Sequence, residues 1–203
     1  PYIKQEMEAA GGLQAVYIEG NHVDYIAGSV YNMYTKKLFL KTNHFSFYGI
    51  GYKQPNFYPD IQNHWAKNEI EFAVSRNLWA EESMFYPENG ITYGEFIHAL
   101  EGLTKTTLDY QLLCRGNSLE KPVTREEMAV IMSDYVKITG INLATTRMEP
   151  NFLDISLASS YAKEAIQWFQ AVGVVNGKDG NQFDPTGIVT RAEACNLLCH
   201  YIE

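Results

Sequence analysis

Three threonine–glutamate pairs recur at one spacing in the second half of the chain: Thr92/Glu95, Thr124/Glu127 and Thr190/Glu193. At that spacing the threonine oxygen accepts from the backbone N–H three residues on, and the glutamate reaches back to the threonine N–H, so each pair opens a helix. A cap of this kind is worth about 0.5–2 kcal/mol. In two of the three, an arginine follows the threonine directly: Arg125 and Arg191. There a cation faces the positive end of the helix dipole, at a cost of roughly 0.3–1 kcal/mol. Two readings offset that cost. One is an internal salt bridge to an Asp or Glu, or a stem packed on an aromatic ring. The other is an anion site, in which the guanidinium reinforces free helix N–H groups to bind a carboxylate or phosphate. Tyr93 takes this place in the first pair, so a site there is weakened or differently used.

Ahead of the last cap runs the loop VVNGKDGNQFDP. Gly177 and Gly180 let backbone approach a ligand closely, Asn176 and Asp179 can bond hydroxyls, and nearby aromatics can stack on a sugar face. A plain turn before a helix is the alternative. Other chemistry finds little support. The five histidines are scattered without nucleophile or metal spacing, and Cys195 and Cys199 fall one helical turn apart as small apolar residues. A glycan-cleaving acid–base pair would have to come from Asp60, Asp154 and the cap glutamates, but the glutamates already have capping work. There is no phosphate loop, dinucleotide fingerprint or nucleophile elbow. No catalytic residue, no metal site and no cofactor is expected. The net charge of −8, with 16 Lys and Arg forming no run, argues against nucleic acid or an anionic membrane as partner. No apolar stretch approaches a membrane span. A start at Pro1 without Met reads as a fragment or processed chain.

The elements that must position these residues are of two kinds. Residues 11–53 read as β: GGLQAVYIEG, HVDYIAGSVY, KKLFLK and HFSFYGIGY predict about four short strands, preceded by a short helix at KQEMEAA. Four short strands make a small core, so the segment is expected to dock on its neighbour or to end a larger domain. KQPNFYP breaks the pattern, and the boundary is drawn between residues 1–54 and 55–203. From Tyr58 onward the period is helical.

Two long segments align as repeats. Each opens on an aromatic-x-Asp and a Trp-Ala or Tyr-Ala pair: Asp60 with Trp65–Ala66, and Asp154 with Tyr161–Ala162. Ile70 with Ala73, and Ile166 with Phe169, are expected to share a helix face with those aromatics. An aromatic-x-Pro follows (Phe85-Tyr86-Pro87 and Phe183-Asp184-Pro185), and then the capped second helix. Between the copies lies a shorter unit, with TTLDYQLLC as the remnant of its first helix and RGNSLEKP as its loop. The repeats are placed at about 57–103, 104–140 and 150–203.

In these residues the chain resembles the S-layer homology domain. FLDISLASSYAKEAIQWFQAVGVVNGKDGNQFDPTGIVTRAEA carries the likeness along its whole length. FYPDIQNHWAKNEIEFAV with FYPENGITYGEF carries an eroded form, and VTREEMAVIM matches in its second half. The resemblance implies a mainly α fold of three-fold pseudo-symmetric helix–loop–helix repeats with grooves between them. It also implies non-covalent anchoring at the bacterial cell surface to a secondary cell-wall polysaccharide attached to peptidoglycan, often bearing pyruvate ketals on N-acetylmannosamine. Carried over by position, Arg125 and Arg191 would take the ketal carboxylate and Gly177, Asp179 and Gly180 would admit the sugar. Trp65 and Tyr161 would stand at groove walls, and Asp60 and Asp154 would hold the repeat or the ligand. The sequence departs from the family pattern at Tyr93 (usually Arg), Tyr161 (usually Trp) and Asn77 (usually Gly), and in the compressed middle repeat. An assembly role by self-association, without a glycan ligand, is the alternative.

Overall fold

The computed structural model describes residues 7, 11–42, 44–141, 143, 152–175 and 177–202. Apart from Met7, the helix expected at KQEMEAA lies outside them, as does Asn176. Contacts divide the described chain into two units: residues up to Pro87 with His98–Thr107 and the stretch from Leu198, and Glu88–Ile97 with Leu108–Leu197.

The first unit begins with strands β1 (Leu13–Glu19), β2 (His22–Ile26), β3 (Val30–Asn32), β4 (Lys37–Phe39) and β5 (Phe47–Tyr52). They form an antiparallel sheet in the order β2-β1-β5 and a separate β3-β4 pair. The count is five because HVDYIAGSVY divides in two. Ser29 turns the chain there: its N–H and hydroxyl both donate to the Ile26 carbonyl (3.0 and 2.6 Å), and its Oγ accepts from Ala15 N–H at 2.8 Å.

So small a sheet cannot bury a core alone, and it docks on helix α1 (Lys67–Ser75). Gln14 Nε2 donates to Ser75 O at 3.0 Å. Arg76, 5% exposed, donates to the carbonyls of Ala27 (2.9 Å), Gly11 (2.8 Å), Ser29 (3.0 Å) and Phe72 (3.1 Å), and its guanidinium lies 3.5 Å from the Phe72 ring centroid. Burial, opposed by the neighbouring Cys199, lowers its pKa to about 9. Carbonyl dipoles from two chain segments thus carry a buried charge, a demanding arrangement that fixes the sheet's position on the helix.

Helix α1 buries Ile70 and Ala73 completely. Trp65, expected on the same face, is 62% exposed. It precedes the helix, whose N-cap is Ala66, so the 3.6-residue period does not reach it; Ala66 is the buried member of the pair. The second copy repeats this. Ile166 and Phe169 of α5 (Lys163–Ala171) are buried with the N-cap Ala162, while Tyr161 is 53% exposed.

The second unit also holds α3 (Tyr110–Cys114), capped by Asp109, and α4 (Arg125–Thr139). Helices α2 (Tyr93–Thr104) and α6 (Arg191–Ile202) contribute their first turns to it and their last residues to the first unit. At its centre, the residues preceding the three threonines close a ring. Ile91 N–H donates to Val189 O (2.8 Å), Val189 N–H to Val123 O (3.0 Å), and Val123 N–H to Ile91 O (2.9 Å). All three side chains are fully buried. Six helices and five antiparallel strands thus share the architecture among the described residues, where the sequence pointed to a mainly helical chain. The cysteines Cys114, Cys195 and Cys199 are buried and form no disulfide among the described residues.

Candidate functional site

Each expected helix cap is present. Thr92, Thr124 and Thr190 Oγ1 accept from the N–H groups of Glu95, Glu127 and Glu193 at 3.2–3.3 Å. The glutamates accept the threonine N–H groups at 2.9–3.0 Å. Most amides at these helix starts, however, are already engaged and do not serve as the free donors that an anion site needs. Arg125 N–H donates to Gly187 O and Glu126 N–H to Pro185 O, both at 2.9 Å, and Arg191 N–H donates to Asn89 O at 2.9 Å. In the first copy, Tyr93 N–H goes to Lys121 O and Gly94 N–H to Leu119 O. Five first-turn amides, those of Tyr93, Gly94, Arg125, Glu126 and Arg191, are thus taken by backbone carbonyls of neighbouring loops.

The guanidinium groups are engaged as well. Arg125 is 5% exposed; its Nη1 donates to Glu193 Oε1 at 3.1 Å, its Nε to Phe183 O at 2.6 Å, and its plane sits 5.1 Å from the Phe183 ring centroid. Arg191 Nε and Nη2 both donate to Glu95 Oε1. Each arginine therefore neutralises the cap glutamate of another helix, the salt-bridge reading of the dipole question. The third glutamate, Glu127, receives the Tyr93 hydroxyl and, at 2.6 Å, Lys121 Nζ, with Lys121 also lying over the Tyr93 ring. Tyrosine and lysine together stand where an arginine would otherwise serve.

Burial pushes the Glu127 carboxyl up, but hydrogen bonds from Lys121, Thr124 and Tyr93 outweigh it and hold its pKa below the ordinary carboxylate value. The Tyr93 hydroxyl is raised, first by burial and then by Glu127. A carboxylate with a lowered folded pKa stabilises above its unfolded pKa, and that contribution is lost as pH falls through the folded value. Lys121→Ala is expected to lift the Glu127 pKa, so that acid unfolding begins at higher pH than in the unaltered chain, while stability near pH 7 falls by about 1 kcal/mol or less because the lysine is half-exposed. Equilibrium denaturation between pH 3 and pH 7 measures both. Identical acid limbs would show that Lys121 is not the partner that matters.

The two aspartates have matching work. Asp154 accepts from Phe183 N–H and Asp184 N–H, each at 2.7 Å. Asp60 accepts from Phe85 N–H (3.1 Å) and Tyr86 N–H (2.7 Å). In both copies the second donor residue precedes a proline and has positive φ, 59° at Asp184 and 56° at Tyr86, a backbone state disfavoured for side-chain-bearing residues. The aspartates hold that turn. With the cap glutamates in ion pairs and both aspartates in turns, no acid–base pair of a glycosidase remains among them.

The glycine loop is a short hairpin: Lys178 N–H donates to Gln182 O at 2.7 Å, and Gly180 turns the chain at φ 73°. Gly177 serves internal packing, since a Cβ there would lie 2.7 Å from the Phe152 ring. Asp179 and Gly180 are exposed at the hairpin tip. Asp60 and Trp65 belong to the first unit, where Trp65 leans on the His64 ring at 5.4 Å; the remaining candidates belong to the second.

One open concavity of about 310 Å³ in the second unit does gather polar and aromatic groups. Tyr93, Arg115, Asn117, Glu127 and Tyr161 line it over an apolar floor of Leu113, Val130 and Ile131. Arg115, in the left-handed conformation that ends α3, is half-exposed. Its Nη2 donates to Asp134 Oδ2 at 2.6 Å; Nε and Nη1 make no other hydrogen bond to the described residues. Asn117 Nδ2 donates to the Tyr93 hydroxyl at 3.0 Å, and Lys121 Nζ to Asn117 Oδ1 at 3.0 Å. Glu126, 7% exposed, accepts from Ser159 N–H (2.8 Å), Ser159 Oγ (2.7 Å) and, at 3.5 Å, the Tyr161 hydroxyl, which sets the tyrosine at the rim. Of the residues proposed from sequence only Tyr161 lines this groove. Arg115 and Asn117 were missed, although Arg115-Gly116-Asn117 occupies the loop position that the glycine hairpin fills in the last copy.

Residues 57–97 and 151–195 match the family model of the S-layer homology domain. Over these two stretches the chain carries S-layer homology sequence. It is 26% identical over 216 residues to an amylopullulanase of Thermoanaerobacterium thermosulfurigenes, covering 90% of this chain and 11% of that protein. It is also 26% identical over 181 residues to the exoglucanase XynX of Acetivibrio thermocellus, covering 71% of this chain and 16% of that one. The chain thus spans between 11% and 16% of the length of these relatives. Among solved structures, an undecaheme cytochrome from the S-layer of Carboxydothermus ferrireducens aligns over 64% of this chain and 20% of its own, at 14% identity and a TM-score of 0.41. S-layer homology domains fasten proteins to the cell surface through cell-wall polymers and are anchoring rather than catalytic modules. Among the described residues no helix is long and apolar enough to cross a membrane, and no group of His, Cys, Asp or Glu is arranged to hold a metal ion.

Proposed function

We propose that this chain is a non-catalytic anchor that holds a secreted surface protein on a pyruvylated secondary cell-wall polysaccharide. Three S-layer homology repeats, about 57–103, 104–140 and 150–203, follow a β segment over 1–54. The saccharide lies in the groove of Tyr93, Arg115, Asn117, Glu127 and Tyr161. Arg125 and Arg191 act as internal pins that keep the groove's elements in place, and the ligand carboxylate is taken by Arg115. The observation that carries this reading is the groove itself: a half-exposed guanidinium with two unused donor nitrogens and a half-exposed tyrosine line one concavity with an apolar floor. A ketal carboxylate suits the guanidinium fork, and a sugar's C–H face suits the aromatic ring.

The reading is tested by co-sedimentation with purified wall polymer before and after acid removal of pyruvate. Binding is expected to drop at least tenfold on removing pyruvate, and by a similar factor in Arg115→Ala with native polymer, corresponding to the roughly 1.5–3 kcal/mol of a hydrogen bond to a charged group. Equal binding to both polymers would defeat the carboxylate assignment.

A further inference from the structure

A second concavity of about 460 Å³ lies in the same unit, between α4 and α5, and shares Arg115, Val130 and Tyr161 with the groove. Its further wall carries Trp168, half-buried, which stands edge-on to Phe169 at 4.9 Å. Ser133, Asp134, Lys137 and Glu164 line the same concavity. We propose that this trough is a second saccharide subsite, continuous with the first, so that the chain reads at least two consecutive sugar residues of its polymer. The inference rests on the groove reading above and extends it.

Three features point to a sugar in the trough. The lining sets two aromatic rings, Trp168 and Tyr161, and the aliphatic Val136, Ile141 and Leu143 beside Ser133, Asp134, Lys137 and Glu164, a combination that suits a ligand with an apolar C–H face and a rim of hydroxyls. The junction is built: Asp134 Oδ2 fixes the Arg115 guanidinium at 2.6 Å, and Lys137 Nζ lies 3.8 Å from Asp134 Oδ1, so the residue between the two concavities is held from the trough side. Finally, Tyr161 borders both, and its position is set by the buried Glu126. A ligand stacked at Tyr161 therefore has its next residue directed along a lined surface.

Calorimetric titration with two probes tests the proposal: pyruvylated N-acetylmannosamine as its methyl glycoside, and a disaccharide carrying that residue at its non-reducing end. The unaltered chain is expected to bind the disaccharide about tenfold more tightly, the scale of one aromatic stacking contact. Trp168→Ala is expected to erase that gain and leave monosaccharide affinity unchanged, while Trp168→Phe keeps most of it, which separates lost stacking from lost folding. A length gain that survives in Trp168→Ala, or no gain in the unaltered chain, overturns the second subsite and leaves the first intact. Failure of the unaltered chain to bind either probe removes the groove reading and the extension with it.

Discussion

Replacing Arg125 with alanine is expected to lower the unfolding free energy by roughly 3 kcal/mol, the lower end of the range for breaking a buried ion pair. The magnitude follows from what the side chain leaves behind. Phe183 O loses its 2.6 Å donor, and Glu193 keeps a largely buried negative charge without its 3.1 Å partner. The guanidinium's packing on the Phe183 ring is lost as well. For a chain of this size the melting temperature should fall by roughly 6–12 °C, at about 2–4 °C per kcal/mol. Adding Glu193→Gln to Arg125→Ala should recover part of the loss, because the stranded charge is removed with it. Urea titration of the four species measures the coupling. A loss below about 1 kcal/mol would mean that the pair behaves as an exposed one.

Asp154→Ala is expected to cost a comparable amount, roughly 3 kcal/mol, since two charge-assisted hydrogen bonds vanish at once. The Phe183 and Asp184 amides lose a common acceptor, and Asp184 is held at φ 59° immediately before Pro185. Without the carboxylate that turn has little reason to stay in a disfavoured state. Asp60→Ala should be milder, because Tyr86 is partly exposed and water can replace the lost acceptor, while the Phe85 bond is longer at 3.1 Å. The Asp154 effect should also be non-additive with Arg125→Ala. Asp154 fixes Phe183 through its N–H, and Arg125 grips the same residue through its carbonyl and ring. Calorimetric melting of single and double variants checks this; strict additivity would show the two contacts to be independent.

Much of this arrangement was legible in the sequence, and the remainder fails for a definite reason. Helix caps are local: Thr and Glu three residues apart satisfy each other's backbone whatever the rest of the chain does, and all three form. The partners of Arg125 and Arg191 are 68 and 96 residues away. The dipole penalty therefore showed that a compensating group was needed, without saying which of two kinds. Ring closure at Ile91, Val123 and Val189 supplies it, because tying the three helix starts together brings each cation to another helix's cap glutamate.

The same limit explains Arg76. Its partners are mostly backbone carbonyls, those of Gly11, Ala27 and Ser29 in the β segment and of Phe72 in α1, and carbonyls leave no mark on a sequence. Trp65 and Tyr161 do not share the buried face of Ile70 and Ile166, because the helical period does not extend past the N-cap. At Gly177 and Gly180 the sequence alone suggests room for a ligand. Gly177 instead makes room for Phe152, and Gly180 is a turn residue at φ 73°. Arg115 lies in the loop of the compressed middle unit, whose short first helix leaves no sequence sign that this loop lines a groove.

The central claim is that the wall saccharide is held at Arg115, Asn117 and Tyr161 while Arg125 and Arg191 stay in their internal pairs. Crystals soaked with pyruvylated N-acetylmannosamine test it most directly. The expected result is sugar density against the Tyr161 ring with the ketal carboxylate on the Arg115 guanidinium and both ion pairs, Arg125–Glu193 and Arg191–Glu95, intact. Density for the carboxylate on Arg125 or Arg191, with the guanidinium withdrawn from its glutamate, would contradict it.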